Sequence, residues 1–395
     1  MNTPPIRIAI AGLGRAFTIM LPTFLQDERV RLVAAADPAL HARTRFESDF
    51  AGATYDNVEA LCASTDADVV YIATPHQFHA EHVCLAAAHG KHILVEKPMA
   101  ITVDECTRMV DAVRAAGVQL VVGPSHSFDA PILRTRELIA SGRYGSMRMI
   151  HAMNFTDFLY RPRRREELQT ETGGGVVHSQ AAHQIDIVRM LGGGMVNSVR
   201  AFTGAWDPQR PTEGAYSALI GFEGGGFCSA TYSGFAHYDS DVLMEHISES
   251  GERKDPAQYG DARRRLATGL AIQSESAFKA QRNYGGAQYV PTSPSAHQAH
   301  QHFGHVVVCC DGADLRPTPY GVEVFDDRKR TFIPIPVPPI PRREVLDELH
   351  RVLREGAAPV HSAEWGRATT EVCLAILEAA RTGGEVRLRY QVSVP

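Results

Sequence analysis

Five short apolar runs in the first 122 residues constrain this chain more than anything else in it. They are Ile6–Ala11, Arg31–Ala36, Asp68–Ala73, His92–Val95 and Val118–Val122, with helical patterns at Ala80–His89 and Val103–Ala116 between the later ones. Runs this short and this apolar read as strands buried on both faces. Parallel strands need a crossover connection, and a helix supplies one. The alternation therefore predicts an α/β domain with a doubly wound parallel sheet. In such a sheet the chemistry emerges at the carboxyl ends of the strands.

At the first of those ends stands Gly12-Leu13-Gly14-Arg15-Ala16-Phe17. Its glycines allow a tight turn and the close approach of a pyrophosphate to backbone N–H groups at the next helix start. Phe17 occupies the usual place of a third glycine or alanine, unless Ala16 takes over that packing role. The second strand ends at Asp37, where a carboxylate binds an adenosine ribose and repels a 2'-phosphate. No arginine follows immediately, so the pattern favours NAD over NADP. The third strand ends in Thr74-Pro75-His76-Gln77-Phe78-His79, and the fourth in Glu96-Lys97-Pro98. Proline restricts the residue before it, so Lys97 is held at the crevice. A lysine that is partly desolvated there can lose its proton near neutral pH, although a lone lysine more often just marks a strand end.

The first domain, residues 1–124, closes at Gly123-Pro124, and the pattern then changes across a second domain, 125–395. Ala130–Ser141 reads as a helix, while Ser146–Phe155, Val196–Phe202, Ala215–Phe222, Gly226–Tyr232 and Val242–Ser248 read as strands. Few helices separate them, so an open and largely antiparallel sheet in an α+β domain is expected. Residues 252–304 are polar, with a helix at Asp261–Leu270; residues 333–341 form a polyproline-like strap. Ala363–Thr382 is a closing helix, followed by a short edge strand. Arg161, Arg163, Arg164 and Arg165 form either a solvated loop or a set of guanidinium forks for carboxylates. His297, His300, His302 and His305 have a spacing that zinc accepts, but no cysteine or clear carboxylate completes the set, and no metal is expected.

A net charge of -5 over 395 residues argues against a general nucleic-acid or membrane surface. No apolar run reaches membrane-spanning length, and the amino terminus carries no secretion core. Seven scattered cysteines, an odd number, fit free thiols in the cytoplasm, and Cys309-Cys310 in its apolar run reads as buried rather than redox-active.

Taken together, Gly12-Leu13-Gly14, Asp37, Ala73-Thr74-Pro75, His79 and Glu96-Lys97-Pro98 resemble the glucose-fructose oxidoreductase / inositol dehydrogenase family. So does Gly173-Gly174-Gly175 ahead of a helix bearing His183, and the likeness runs over essentially the whole chain. Within that family the chain is similar to the 4,5-dihydro-4,5-dihydroxyphthalate dehydrogenases. Arg161-Pro162-Arg163-Arg164, Val176 through Gln184, His302-Phe303-Gly304 and Asp314-Leu315-Arg316-Pro317 carry that narrower match. The resemblance implies NAD as cofactor, with Gly12, Gly14, Arg15 and Ala16 at its pyrophosphate and Asp37 at its adenosine ribose. It implies Thr74, Pro75 and His79 on the nicotinamide side, and Glu96 and Lys97 at the nicotinamide ribose and substrate.

Lys97 and His183 would be catalytic, Lys97 as proton acceptor, while His126, Arg161, Arg163, Ser179 and His183 would touch the substrate. Two positions depart from the family: His76 replaces a usual asparagine, and Ser179 a usual aspartate one turn before His183. Ser179 would then cap the helix and share a face with His183, and Asp186 could reach His183 from i+3. The implied activity is NAD-dependent oxidation of a cyclic cis-dihydrodiol carrying two carboxylates, in a cytoplasmic homo-oligomer, dimer or tetramer. A sugar or inositol dehydrogenase and a non-catalytic dinucleotide sensor are the alternatives. Retention of Lys97 and His183 counts against the sensor.

Overall fold

A computed structural model describes residues 4–258, 260–270, 274–291 and 298–395, which divide into two units. The first contains Met1–Pro124 and carries a parallel sheet of six strands. They are β1 (Ile6–Ala11), β2 (Val30–Ala36), β3 (Ala53–Tyr55), β4 (Val69–Ile72), β5 (His92–Val95) and β6 (Leu120–Val122). Their order is β3-β2-β1-β4-β5-β6, so the direction of winding reverses between β1 and β4. That is where doubly wound sheets open a crevice for ligands. The crossovers are α1 (Arg15–Gln26), α2 (Leu40–Phe50), α3 (Val58–Ser64), α4 (His79–Ala88) and α5 (Val103–Ala116). Local chemistry sets their ends. The Thr102 hydroxyl accepts from the Glu105 N–H at 3.1 Å to start α5, and Gly117 stops it at φ +66.

The second domain expected at 125–395 is not continuous. Ser276–Pro294 and Ile340–Arg367 group with the first unit, as the contacts of Tyr284 illustrate. The Tyr284 ring lies edge-on to Phe17 at 5.1 Å, and its hydroxyl donates to Asp49 at 2.7 Å. Phe17 thus packs against Phe46 and Tyr284, which is why no third glycine is required there.

The second unit holds a nine-stranded sheet. Its strands are β7 (Met147–Phe155), β8 (Val196–Gly204), β9 (Ala215–Phe222), β10 (Phe227–Ser233), β11 (His305–Cys310), β12 (Ala313–Thr318), β13 (Gly321–Asp326), β14 (Arg330–Pro334) and β15 (Val386–Arg387). The order is β14-β13-β12-β11-β7-β10-β9-β8-β15, antiparallel except for the β7/β10 pair. Cys228, Ala230 and Tyr232 alternate inward along β10, whereas Phe227 and Leu219 stay exposed. Two helices, α6 (Ala130–Ala140) and α7 (Ala182–Leu191), pack on the inward side.

Three expectations change here. Val242–Ser248 is not a strand, since Ser240–Met244 is a 3-10 turn. There Asp239 accepts from the Asp241 N–H, and the Ser240 hydroxyl accepts from the Phe155 N–H and donates to Asn154. The first residues of the strap pair as β14, with Ile333 opposite Val322. Cys309 and Cys310 are half-exposed, not buried, and burial pushes the Cys309 thiol up to about 11.

Candidate active site

In the first unit, Gly12 sits at φ +96, and a Cβ there would meet the Ala73 carbonyl oxygen at 2.8 Å. Only glycine lets β1 turn this close to β4. At Gly14 the space is open: an added Cβ would find nothing within 4 Å. No side chain caps α1, which begins directly after this open position. Asp37, at the end of β2, accepts from the Leu13 N–H and the Ala39 N–H, both at 2.8 Å. Its carboxylate is thereby pinned beside the glycine turn. A close backbone approach, an uncapped helix start and a fixed carboxylate together fit the pyrophosphate and ribose of NAD. Arg15 is exposed and Ala16 half-buried on the first turn of the same helix.

The β4 end differs from expectation at His79. The ring is fully buried, with Nδ1 2.9 Å from the Pro98 carbonyl and Nε2 2.9 Å from the Thr74 carbonyl. Burial pushes it down to about 4, against the pull of those carbonyls. His79 offers no edge to a ligand; it ties the Thr74 turn to the Lys97-Pro98 turn, whose peptide is cis. Glu96 is likewise buried, accepts from the Tyr71 hydroxyl, and is pushed up by burial. Glu96 thus carries an internal hydrogen bond at the end of β5. Thr74 and Pro75 are half-buried, with the Thr74 hydroxyl 2.9 Å from His82 Nδ1, and Lys97 is half-buried.

In the second unit, Gly173 and Gly175 both sit at φ +83, and a Cβ on Gly175 would collide with the Glu213 carboxylate. That carboxylate accepts from the Val177 N–H at 3.0 Å. It opens a π-helical turn, Val177–Ala181, which runs straight into α7. Ser179 lies inside that turn and is not the helix cap. Asp186, expected within reach of His183, accepts from the Ser127 and Thr369 hydroxyls.

His183 is half-buried, 4.9 Å ring to ring from His126 and 5.0 Å from Phe303. His126 lies 5.4 Å from the same phenyl ring, so Phe303 underlies both imidazoles. Phe303 in turn stacks on Tyr232 at 6.0 Å. The Nδ1 of His126 is 2.8 Å from an Asp129 carboxylate oxygen.

The arginines part company. Arg161 Nε donates to Asp157 at 2.8 Å, and Nη2 to Glu249 at 3.2 Å. Burial works against ionising Glu249, but Arg161 first and His126 next hold its carboxyl below the usual range. Arg163 instead lies over the Phe158 ring at 3.6 Å and donates to the Phe158 carbonyl at 2.7 Å. Burial pushes it down to about 10, which still leaves it charged at neutral pH. Arg161 and Arg163 therefore serve different partners, the first a pair of carboxylates and the second the Phe158 turn. Arg164 pairs with Glu166 and Glu167.

Of the four clustered histidines, His297 lies outside the described residues. His300 Nε2 is 3.1 Å from the Ile335 carbonyl and His302 Nε2 2.9 Å from that of Ile247, so both serve the backbone. Among the described residues no group of three or more potential ligands could hold a metal, and no helix is long and apolar enough to cross a membrane. Asp129, Asp157 and Glu249 were missed as site residues. The signals for Asp129 and Asp157 were the spacings His126 to Asp129 and Asp157 to Arg161, whereas no local spacing marks Glu249.

Residues 6–124 match a family model described as "Oxidoreductase family, NAD-binding Rossmann fold", and residues 132–252 match one described as "GFO/IDH/MocA C-terminal domain". A Comamonas testosteroni protein named 1-carboxy-3-chloro-3,4-dihydroxycyclohexa-1,5-diene dehydrogenase is 48% identical over 377 residues, 95% of each chain. A solved Bordetella bronchiseptica RB50 structure is 38% identical with a TM-score of 0.91, covering 97% of this chain and 100% of that one. The fold also matches the WlbA dehydrogenase of Bordetella pertussis, solved with NADH and UDP-GlcNAcA (TM-score 0.71, 20% identity, 98% and 99% covered).

Proposed function

Because this chain belongs to the GFO/IDH/MocA oxidoreductase family and is an NAD-dependent dehydrogenase, we propose that it oxidises a carboxylated cyclohexadiene cis-diol. The specific substrate in this reading is 4,5-dihydro-4,5-dihydroxyphthalate, giving 4,5-dihydroxyphthalate. One observation carries the reading: the Comamonas relative named for a carboxylated dihydroxycyclohexadiene aligns over 95% of both chains at 48% identity. NAD, when bound, supplies the hydride acceptor; the chain supplies orientation and proton handling.

Lys97 takes the proton of the reacting hydroxyl, and His183 holds that hydroxyl by a hydrogen bond. Arg163 holds a ring carboxylate. Its charge has no carboxylate hydrogen-bonded to it among the described residues, whereas the charge of Arg161 is balanced by Asp157 and Glu249. A single guanidinium without a hydrogen-bonded carboxylate also supports a second reading, a diol bearing a single carboxylate, as in the name of the relative. All seven cysteines are free thiols, which supports the cytoplasm as the compartment. Exposed Phe202, Leu219 and Phe227 along β8, β9 and β10 support a homo-oligomer.

The test is NADH formation from NAD with the phthalate diol, a monocarboxylate cis-diol, an uncharged cis-dihydrodiol, inositol and glucose. Highest kcat/KM on the phthalate diol supports the specific substrate, and highest on the monocarboxylate supports the second reading. Preference for inositol or glucose returns the chain to the sugar and cyclitol dehydrogenases. Absence of turnover on all five leaves the sensor.

A further inference from the structure

Oxidation of one carbinol needs a single proton acceptor, which the reading above assigns to Lys97. It leaves a ring ketone whose neighbouring carbon carries a hydroxyl and a hydrogen. That hydrogen is α to the carbonyl, and its removal makes the ring aromatic. Taking a proton from carbon calls for a positioned base.

The second unit contains an imidazole built for that task and not used by the oxidation. His126 and Asp129 are each 12% exposed, with Nδ1 and the carboxylate 2.8 Å apart. The contact fixes the tautomer that carries its proton on Nδ1, so the Nε2 lone pair points away from Asp129. Nε2 makes no hydrogen bond among the described residues. A carboxylate behind an imidazole also stabilises the imidazolium once it forms. The position fits as well. His183, which holds the reacting hydroxyl in this reading, is one ring away at 4.9 Å, edge to face, with Phe303 beneath both. A base beside the group that holds one carbinol serves the carbon next to it.

We propose that the chain catalyses a second step, aromatisation of the hydroxyketone, with His126 as its base; this rests on the dihydrodiol reading. The C–H bond of the neighbouring carbon breaks, and its proton joins His126 Nε2. The electron pair left behind forms the ring C=C bond, and the carbonyl pair moves onto oxygen. That oxygen regains the proton it gave up in the oxidation, and the imidazolium releases its own to solvent. Over both steps the diol loses one hydride to NAD and one proton to water, so no further oxidant enters.

Stopped-flow traces with cis-4,5-dihydro-4,5-dihydroxyphthalate and NAD test it, following NADH and the catechol product together. In the wild type the two signals rise together. In His126→Asn, whatever its overall turnover, catechol trails NADH, with the ratio of the two rates lowered about 100-fold, the lower end of general-base catalysis. Asp129→Asn, which keeps the hydrogen bond and loses the charge, gives a smaller lag of the same kind. Adding wild-type enzyme to the hydroxyketone accumulated by the variant restores catechol formation. Catechol keeping pace with NADH in both variants overturns the proposal. A His126 variant that forms no NADH overturns it too, since His126 then belongs to the oxidation. A wild type that forms no NADH from this diol removes the dihydrodiol reading, and the second step with it.

Discussion

Replacing Asp37 by serine should convert an NAD enzyme into one that accepts NADP. The carboxylate is held rigidly, with both oxygens taking backbone N–H groups at 2.8 Å, and it stands where the adenosine 2'-hydroxyl of NAD falls in this fold. A hydrogen bond to a charged group contributes about 1.5–3 kcal/mol, so its loss should weaken NADH roughly 10- to 150-fold. For NADPH the sign reverses, because the same carboxylate repels a 2'-phosphate. Beyond that repulsion a cation is already in place. The Arg43 guanidinium donates to the carbonyls of Asp37 at 2.7 Å and Pro38 at 3.1 Å, on the turn the phosphate would approach. Asp37→Ser should therefore tighten NADPH about tenfold, a change of ~1.4 kcal/mol. Arg43→Ala added to Asp37→Ser should cancel that gain. Fluorescence titration of NADH and NADPH reads both affinities without any substrate. An unchanged NADH/NADPH ratio in Asp37→Ser, or a wild type that prefers NADPH, would refute the assignment of Asp37.

Lys97→Met should abolish turnover while NADH affinity stays within about an order of magnitude, ~1.4 kcal/mol; retention of most of kcat would move the proton acceptor to His183. Arg163→Ala should raise KM for a carboxylated diol by roughly one to two decades and spare an uncharged one; equal loss on both would show that Arg163 only supports its Phe158 turn. Arg161→Ala should instead cost stability, since it removes the guanidinium paired with both Asp157 and Glu249. Both carboxyls are held below their usual range in the folded chain, against the opposing effect of burial. Their contribution is therefore present at neutral pH and lost as pH falls through and below about 4. Melting temperature against pH should fall more steeply there in the wild type than in Arg161→Ala; parallel curves would refute it.

The parallel sheet was legible because β1, β2, β4 and β5 are short, apolar and bounded by glycine, proline or charge. β3 escaped notice, being three residues long with none of them buried. The hairpins of β11 to β14 were hidden for another reason. β12 carries Asp314, Arg316 and Pro317, and β14 alternates exposed Arg330, Phe332 and Pro334 with half-buried residues, so a strand period is diluted by charge and proline. The return of Ser276–Pro294 and Ile340–Arg367 to the first unit depends on contacts as distant as the Thr23 hydroxyl to the Pro341 carbonyl. No local pattern encodes such a pairing.

At the site, residues defined by backbone need were readable and residues defined by burial were not. Gly12 and Asp37 follow from strand ends, whereas the inward turn of His79 and Glu96 is set by what surrounds them in three dimensions. Ser179 was misassigned because a π turn widens the i→i+4 ladder to i→i+5, so spacing in an ordinary helix no longer describes which side chains share a face. A carboxylate–imidazole pair beside His183 appears on another element, in the stretch His126-Ser127-Phe128-Asp129. His126–Phe128 is a 3-10 turn, and in that geometry the side chains at i and i+3 eclipse one another. A histidine followed three residues later by an aspartate is thus brought together by the turn itself, and packing His126 against His183 and Phe303 then sets the pair beside the His183 ring.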